Sequence, residues 1–241
     1  MSGYDPTDAQ SVRRLFDTIA PRYDRLNDAL SLGLHRLWKR QALLAVRPQP
    51  GQRLLDLCCG TGDLALLLAE RVRPGGEVLA IDAAAAPLEL ARQRAAARPW
   101  LPIRWQCADA LHSGLPAGWA HGAVMAYGLR NLGDPAAALA ELRRLLISGG
   151  RAAVLDFNRP DPADGAAARL AGGFQRRYLR SVVVPAAAAL GLADAYAYLE
   201  DSLRRFPTGR DQQQLALAAG FRRARHRPLA GGLMGCLELV A

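Results

Sequence analysis

A mostly parallel α/β fold is what three features of the 241-residue chain predict. Short apolar runs of strand length alternate with helix-period segments between residues 51 and 158, the first run opens into a glycine-containing turn, and the first three runs each have an aspartate within two residues of their end. Alternation of this kind lays strands side by side through right-handed helical crossovers.

The elements follow in order. From Val12 to Val46 the apolar positions Leu15, Phe16, Ile19 and Tyr23, then Leu34, Leu37, Trp38 and Leu44, recur at three-to-four spacing and predict a helical lead-in. Pro48 and Pro50-Gly51 end it, and residues 53–57 form a first strand bounded by turn residues. Helix 63–73, the turn Pro74-Gly75-Gly76, strand 77–81, helix 87–98 and strand 103–107 come next. Strand 122–127, helix 135–146 with Asp134 as N-cap and Gly149-Gly150 as stop, and strand 151–157 complete the alternation. Residues 163–203 carry no strand signal; Tyr178, Val182, Tyr196 and Leu199 suit amphipathic helices, so this stretch reads as an inserted cap. Helix 212–219, stopped by Gly220, and strand runs 221–227 and 233–240 then predict an antiparallel edge hairpin. The expected organisation is one domain over 1–241: a helical lid (1–50), a ligand-binding core (51–158), a helical cap (159–205) and a closing helix and hairpin (206–241).

Composition excludes several classes. With 51% hydrophobic and 22% charged residues the chain has a normal globular balance, which rules out a disordered tail, a collagen and a coiled coil. A net charge of +9 points towards an anionic partner, but Lys39 is the single lysine among 31 basic residues and no basic and aromatic platform is interleaved, so no nucleic acid is expected. Cys58, Cys59, Cys107 and Cys236 form no C-x-x-C pair and His35, His112, His121 and His226 no cluster with them, so no metal site is expected. Adjacent Cys58 and Cys59 do not easily bridge and no secretory signal opens the chain, which makes the cytoplasm the expected location. The most apolar stretch, residues 182–199, contains Pro185 and Asp194 and falls short of a membrane span. No heptad marks an oligomer interface, and oligomeric state stays open.

The chemistry concentrates at the strand ends. Asp56-Leu57-Cys58-Cys59-Gly60-Thr61-Gly62-Asp63 places small residues where a backbone must approach a ligand closely. The turn lacks both the G-x-G-x-x-G spacing of a dinucleotide site and the G-K-[ST] of a phosphate loop, which disfavours a pyrophosphate. Asp56 at its head repels phosphate and suits a cation such as an amino-acid ammonium. Asp82 closes the second strand where such folds place an acceptor for ribose hydroxyls, and Asp109 follows the third, where it can accept from the adenine amine. Ribose, adenine and a positive charge together describe S-adenosylmethionine. Any one of these aspartates alone could be a helix cap; the set of three is harder to explain that way.

Three separated signatures then carry a family resemblance over nearly the whole chain. The lead-in Phe16-Asp17-Thr18-Ile19-Ala20-Pro21-Arg22-Tyr23-Asp24-Arg25-Leu26-Asn27, continuing through Ser31-Leu32-Gly33 and Trp38, resembles the N-terminal signature of the ubiquinone and menaquinone biosynthesis C-methyltransferases. Tyr127-Gly128-Leu129-Arg130-Asn131 matches after the fourth strand, as do Phe206-Pro207-Thr208-Gly209 and Ala219-Gly220-Phe221. Leu57-Cys58-Cys59-Gly60, Leu155-Asp156-Phe157 with Arg159-Pro160, Val182-Val183-Val184-Pro185 and Ala230-Gly231-Gly232-Leu233-Met234-Gly235 are similar to the cyanobacterial and plastid-type branch.

The resemblance implies a Rossmann-like class I S-adenosylmethionine-dependent methyltransferase with a seven-stranded sheet. It implies methylation of 2-phytyl-1,4-naphthoquinol, the last step towards phylloquinone, with demethylmenaquinol or a ubiquinone precursor as alternatives and an RNA or other small-molecule substrate behind them. A non-catalytic cofactor binder is disfavoured because the turn acids and the 128–131 segment are all present. Thr61, Asp82, Asp109 and Ala110 align with the family's cofactor positions; Asp56, Gly60 and Gly62 would shape the methionine end, with Asp63 only a helix-start residue. Ala126, also a cofactor candidate, stands where some members carry a cofactor-touching Ser, and Ala83 to Ala86 replace larger or polar residues; the resemblance there transfers backbone contacts rather than side-chain ones. For the acceptor the candidates are Tyr23, Arg130 and Asn131. Methylation at carbon needs the reduced quinol, whose phenolate makes the adjacent carbon nucleophilic; Arg130 would stabilise that phenolate, and Asn131 or a water would relay the proton. An apolar channel under the cap would take the tail, and the Arg-rich run 174–180 would touch an anionic lipid surface peripherally.

Overall fold

The computed structural model describes residues 10–14, 17, 18, 34–161, 165–183, 185 and 193–241. Helix α1 (His35–Val46) precedes β1 (Arg53–Leu57), α2 (Asp63–Val72), β2 (Glu77–Asp82), α3 (Ala85–Ala96) and β3 (Ile103–Cys107). Then come β4 (Ala120–Ala126), a 3-10 turn (Leu129–Asn131), α4 (Pro135–Leu145) and β5 (Leu146–Phe157). The remainder is α5 (Ala166–Tyr178), a π-turn (Leu179–Val183), α6 (Ala193–Arg205), α7 (Gly209–Ala218), β6 (Arg223–Leu229), a 3-10 turn (Ala230–Gly232) and β7 (Met234–Val240).

The seven strands lie in the order β3-β2-β1-β4-β5-β7-β6, the first five parallel and the hairpin strands β6 and β7 antiparallel. The chain reverses direction across the sheet between β1 and β4, which opens a crevice at the carboxyl ends of those strands. Period-two alternation sorts the core into two layers. Leu55, Leu57, Leu79, Ile81 and Met125 pack under α4 and α7, whereas Leu54, Val78, Ala80 and Val124 pack under α1 and α2. Asp56 shares the face of Leu54, so its carboxyl points into the α1–α2 layer and is 1% exposed.

Helix α1 packs one face into the core along 35–46. Its buried face is His35, Lys39, Ala42, Leu43 and Val46, a three-to-four spacing that includes the chain's single lysine. Other boundaries also moved for identifiable reasons. The helix stop expected at Gly149-Gly150 lies inside β5: α4 ends at Leu145 and Leu146 is already extended, because it pairs with Ala120 in the β4–β5 ladder. Helix α7 starts three residues before the expected 212, where Thr208 accepts from Asp211 N and the Asp211 carboxylate accepts from Thr208 N, a capping box. Helices α5 and α6 lie within residues 159–205. Gln175 on α5 donates to Asn158 O at 2.7 Å, fastening that helix to the end of β5.

Candidate active site

The crevice is lined at its base by Asp56, Cys58, Cys59, Gly60 and Thr61, at one side by Asp82 to Ala84, Asp109 and Ala110, and at the other by Ala126 to Gly128 and Asn131. Of the cofactor candidates read from sequence, Asp56, Gly60, Thr61, Asp82, Asp109, Ala110 and Ala126 all border it. Gly62 stands just behind, as N-cap of α2.

The turn after β1 reaches this shape through left-handed backbone at Cys58 (φ 56°), Gly60 (φ 53°) and Gly62 (φ 82°). Only Gly62 also lacks room: a Cβ there would stand 2.6 Å from Trp105. Across the crevice, a Cβ on Gly128 would stand 2.6 Å from the Cys58 Cβ, so the two loops close on each other only because Gly128 is bare.

Each aspartate does more than face the crevice. Asp82 accepts from Gly60 N at 2.7 Å through one oxygen and from Ala84 N at 2.9 Å through the other, pinning the glycine turn to the start of α3. A carboxylate has about four acceptor sites, so this leaves capacity for ribose hydroxyls. Burial raises its pKa, with the backbone donors opposing. Asp109 accepts from Leu111 N at 2.9 Å and from Arg13 at 3.2 Å, so the lead-in segment reaches the place where an adenine amine was expected. Asp17 accepts from Ala86 N at 2.9 Å and ties the same segment to α3. Asp56 Oδ2 is buried without a hydrogen-bond partner among the described residues, and burial pushes this carboxyl up to about 8 although Lys39 draws it down.

Asp63, expected only to start a helix, is the centre of a two-cation clamp. Lys39 Nζ donates to one oxygen at 2.7 Å and Arg94 to the other at 2.5 Å, while Arg94 also donates to Thr61 O at 2.8 Å. Burial alone would raise the Asp63 pKa, but the two cations bring it down to about 2. Sequence reading missed Lys39 and Arg94. The signal for the first was a lysine on the apolar face of α1; Arg94 left none, because its partner is 31 residues away.

The acceptor candidates separate. Asn131 borders the crevice and donates to Tyr127 O at 2.7 Å. Arg130 is not among the residues that line the crevice; its guanidinium forms a 2.5 Å pair with Asp156 at the end of β5, with side chains 7% and 3% exposed. It also donates to Tyr127 O at 3.0 Å and lies over the Phe157 ring, and its backbone N–H donates to Asp156 at 3.1 Å. A buried carboxylate needs such a counterion, so Asp156 gives Arg130 a structural partner beside the acceptor role expected of it. Tyr23 lies outside the described residues. Among the described residues no group of three His, Cys, Asp or Glu side chains is placed to hold a metal ion.

Chemically, this crevice offers three acidic acceptors in a row, one of them an orphaned buried oxygen, beside a buried ammonium. It suits a nucleoside that carries a zwitterionic amino-acid end.

Comparison with known proteins agrees with that reading. The model of the ubiE/COQ5 methyltransferase family matches residues 5–238. The 2-phytyl-1,4-naphtoquinone methyltransferase of Synechococcus elongatus is 49% identical over 235 residues, 96% of this chain and 97% of that protein. The protein of the same description from Trichormus variabilis is 47% identical over 227 residues, 94% of this chain and 96% of its own length. Among solved structures, a SAM-dependent methyltransferase of Thermotoga maritima, a possible histamine N-methyltransferase, superposes with a TM-score of 0.62 at 16% identity, covering 94% of this chain and 98% of that one, a likeness of fold.

Proposed function

The chain belongs to the ubiE/COQ5 methyltransferase family, and from that premise we propose that it transfers a methyl group from S-adenosylmethionine to the ring carbon of 2-phytyl-1,4-naphthoquinol, the step that completes phylloquinone. The observation that carries the reading is the crevice itself: Asp56, Asp82 and Asp109 stand at three neighbouring strand ends, with one orphaned carboxylate oxygen at the base.

S-adenosylmethionine supplies a methyl already activated on a sulfonium, so the protein's task is to aim and to exclude water. Asp82 offers acceptors for the ribose while it pins Gly60, and Ala110 and Leu111 give the adenine an apolar wall. Asp109 trades or shares its Arg13 contact with the adenine amine. On the acceptor side, Asn131 presents a polar contact to the quinol oxygen, and Tyr23 joins it by family resemblance. Arg130 acts at one remove: its pair with Asp156 holds the 127–131 loop, whose carbonyl at Tyr127 also anchors Asn131. The quinol, not the quinone, is the nucleophile, because loss of a phenolic proton puts electron density on the adjacent ring carbon.

The phytyl tail requires a membrane-borne substrate, yet no described helix is long and apolar enough to cross a membrane. Helix α5 supplies a peripheral contact instead: Leu170 and Phe174, 75% and 57% exposed, share one face, and Arg177 and Arg180 follow them.

Incubation with 2-phytyl-1,4-naphthoquinone, methyl-labelled S-adenosylmethionine and dithionite should yield labelled phylloquinone by liquid chromatography and mass spectrometry. Equal product without the reductant would overturn the quinol requirement. No product with this acceptor, but turnover with a polyprenyl analogue, would reassign the tail.

A further inference from the structure

Helix α3 begins without a cap of its own. Residues 83–86 are four alanines, the N-cap position is Ala84 with no side chain to accept a hydrogen bond, and no acid stands in the first turn. The first N–H groups of a helix have no partner inside it, and an N-cap side chain ordinarily takes the one at the second or third position. Here Asp17, 69 positions away on the lead-in, takes the second: its carboxylate accepts from Ala86 N at 2.9 Å. It also brings an anion to the positive end of the α3 dipole.

The contact falls on the wall of the crevice. Ala83, Ala84 and Pro87 line it on the same side as Asp82. Because Asp82 accepts from Ala84 N through one oxygen and from Gly60 N through the other, the start of α3, the ribose acceptor and the glycine turn move together. Burial raises the Asp82 pKa and the charge of Asp17 raises it further, so the two carboxylates are near neighbours. Arg13, earlier on the lead-in, lines the crevice with Val12 and donates to Asp109 at 3.2 Å. Two lead-in residues thus touch both sides of the nucleoside half of the crevice: Arg13 at the end of β3, Asp17 at the start of α3.

We infer that Asp17 is a positioning residue for the donor site: by capping α3 from outside the helix it fixes Asp82 and the wall at 83–84, and it couples the lead-in to occupancy of the crevice. The inference rests on S-adenosylmethionine as donor, and it places no donor atom against Asp17. Coupling between two groups is reciprocal, so a nucleoside that holds Asp82 in place also steadies Asp17 and the lead-in around it. The acid of the lead-in signature then acts through a helix start on the far side of the first two strands' sequence, and the alanines at 83–86 leave that task to it.

Amide hydrogen exchange and calorimetry on the full chain, with S-adenosylhomocysteine as the probe, test this without turnover. In the wild-type chain, saturating S-adenosylhomocysteine should slow exchange across residues 10–18 and 84–88 together, by at least about tenfold. Asp17→Ala should weaken S-adenosylhomocysteine by about 3- to 30-fold, the range of one lost helix cap, and should remove the protection of 10–18. Asp17→Asn, which keeps an acceptor oxygen in the same place, should recover most of the affinity. An Asp17→Ala chain that melts lower yet binds S-adenosylhomocysteine as tightly as wild type would mark a merely structural cap and overturn the proposal. Wild-type exchange at 10–18 that S-adenosylhomocysteine leaves unchanged would overturn it too, and that measurement stands whether or not Asp17→Ala folds. A wild-type chain that binds no S-adenosylhomocysteine would instead overturn the donor assignment itself.

Discussion

Replacing Arg130 with Ala separates two roles that look alike in sequence. If the guanidinium stabilises the acceptor phenolate, its loss lowers turnover and spares the fold. The structure argues otherwise. Arg130 and Asp156 are 7% and 3% exposed in their side chains and 2.5 Å apart, and Asp156 also accepts from the backbone N–H groups of Arg130 and Phe157. Removing the cation strands a buried carboxylate, which costs about 3–5 kcal/mol. At about 2–4 °C per kcal/mol for a domain of this size, the melting midpoint should fall by roughly 6–20 °C. Urea denaturation followed by circular dichroism measures the free energy directly. The double variant Arg130→Met with Asp156→Asn removes the stranded charge and keeps one oxygen, which serves one of the two backbone donors, so it should recover about 1–3 kcal/mol of the loss. An Arg130→Ala chain within about 1 kcal/mol of wild type, yet with turnover on the quinol abolished, would refute this reasoning and return Arg130 to the acceptor.

Three further outcomes are expected. Asp56 has its pKa raised from 3.8 to about 8, so between those values the folded chain holds a proton that the unfolded chain releases; this contribution is fully present below about 4 and is lost as the pH rises towards 8. Asp56→Asn should therefore melt above wild type by a margin that widens from pH 5 to pH 8 while binding S-adenosylhomocysteine more weakly, and a margin independent of pH would contradict the assignment. Asp82→Ala should raise the calorimetric dissociation constant for S-adenosylmethionine at least about tenfold, since it removes ribose acceptors and releases Gly60 N; unchanged affinity removes Asp82 from the site. Replacing Leu170 and Phe174 together with Ser should abolish co-sedimentation with vesicles containing anionic lipid, and retained binding would exclude α5 as the contact.

Much of the architecture was legible because it depends on local periodicity. Apolar spacing predicts β1 and β3 with the bounds the structure shows, 53–57 and 103–107, and Asp56, Asp82 and Asp109 lie at the carboxyl edge because parallel strands align their ends. Boundaries set by partners were not legible: β5 begins at Leu146 because Ala120 pairs with it, and no feature of residues 146–150 announces a strand. Similarly, Asp63 reads as a helix start in one dimension, and becomes a clamp only when α1 and α3 bring Lys39 and Arg94 to it.

The sequence by itself determined the fold class, the strand-end acids and the family signatures, because hydrophobic spacing and turn chemistry act over a few residues. Only the tertiary structure decided which charges meet. Ion pairs such as Arg130 with Asp156, Arg94 with Asp63 and Lys39 with Asp63 span 26, 31 and 24 positions. They are chosen by how elements pack, and in a low-dielectric interior it is the pairing, not the residue type, that fixes whether an arginine faces a substrate or holds a loop.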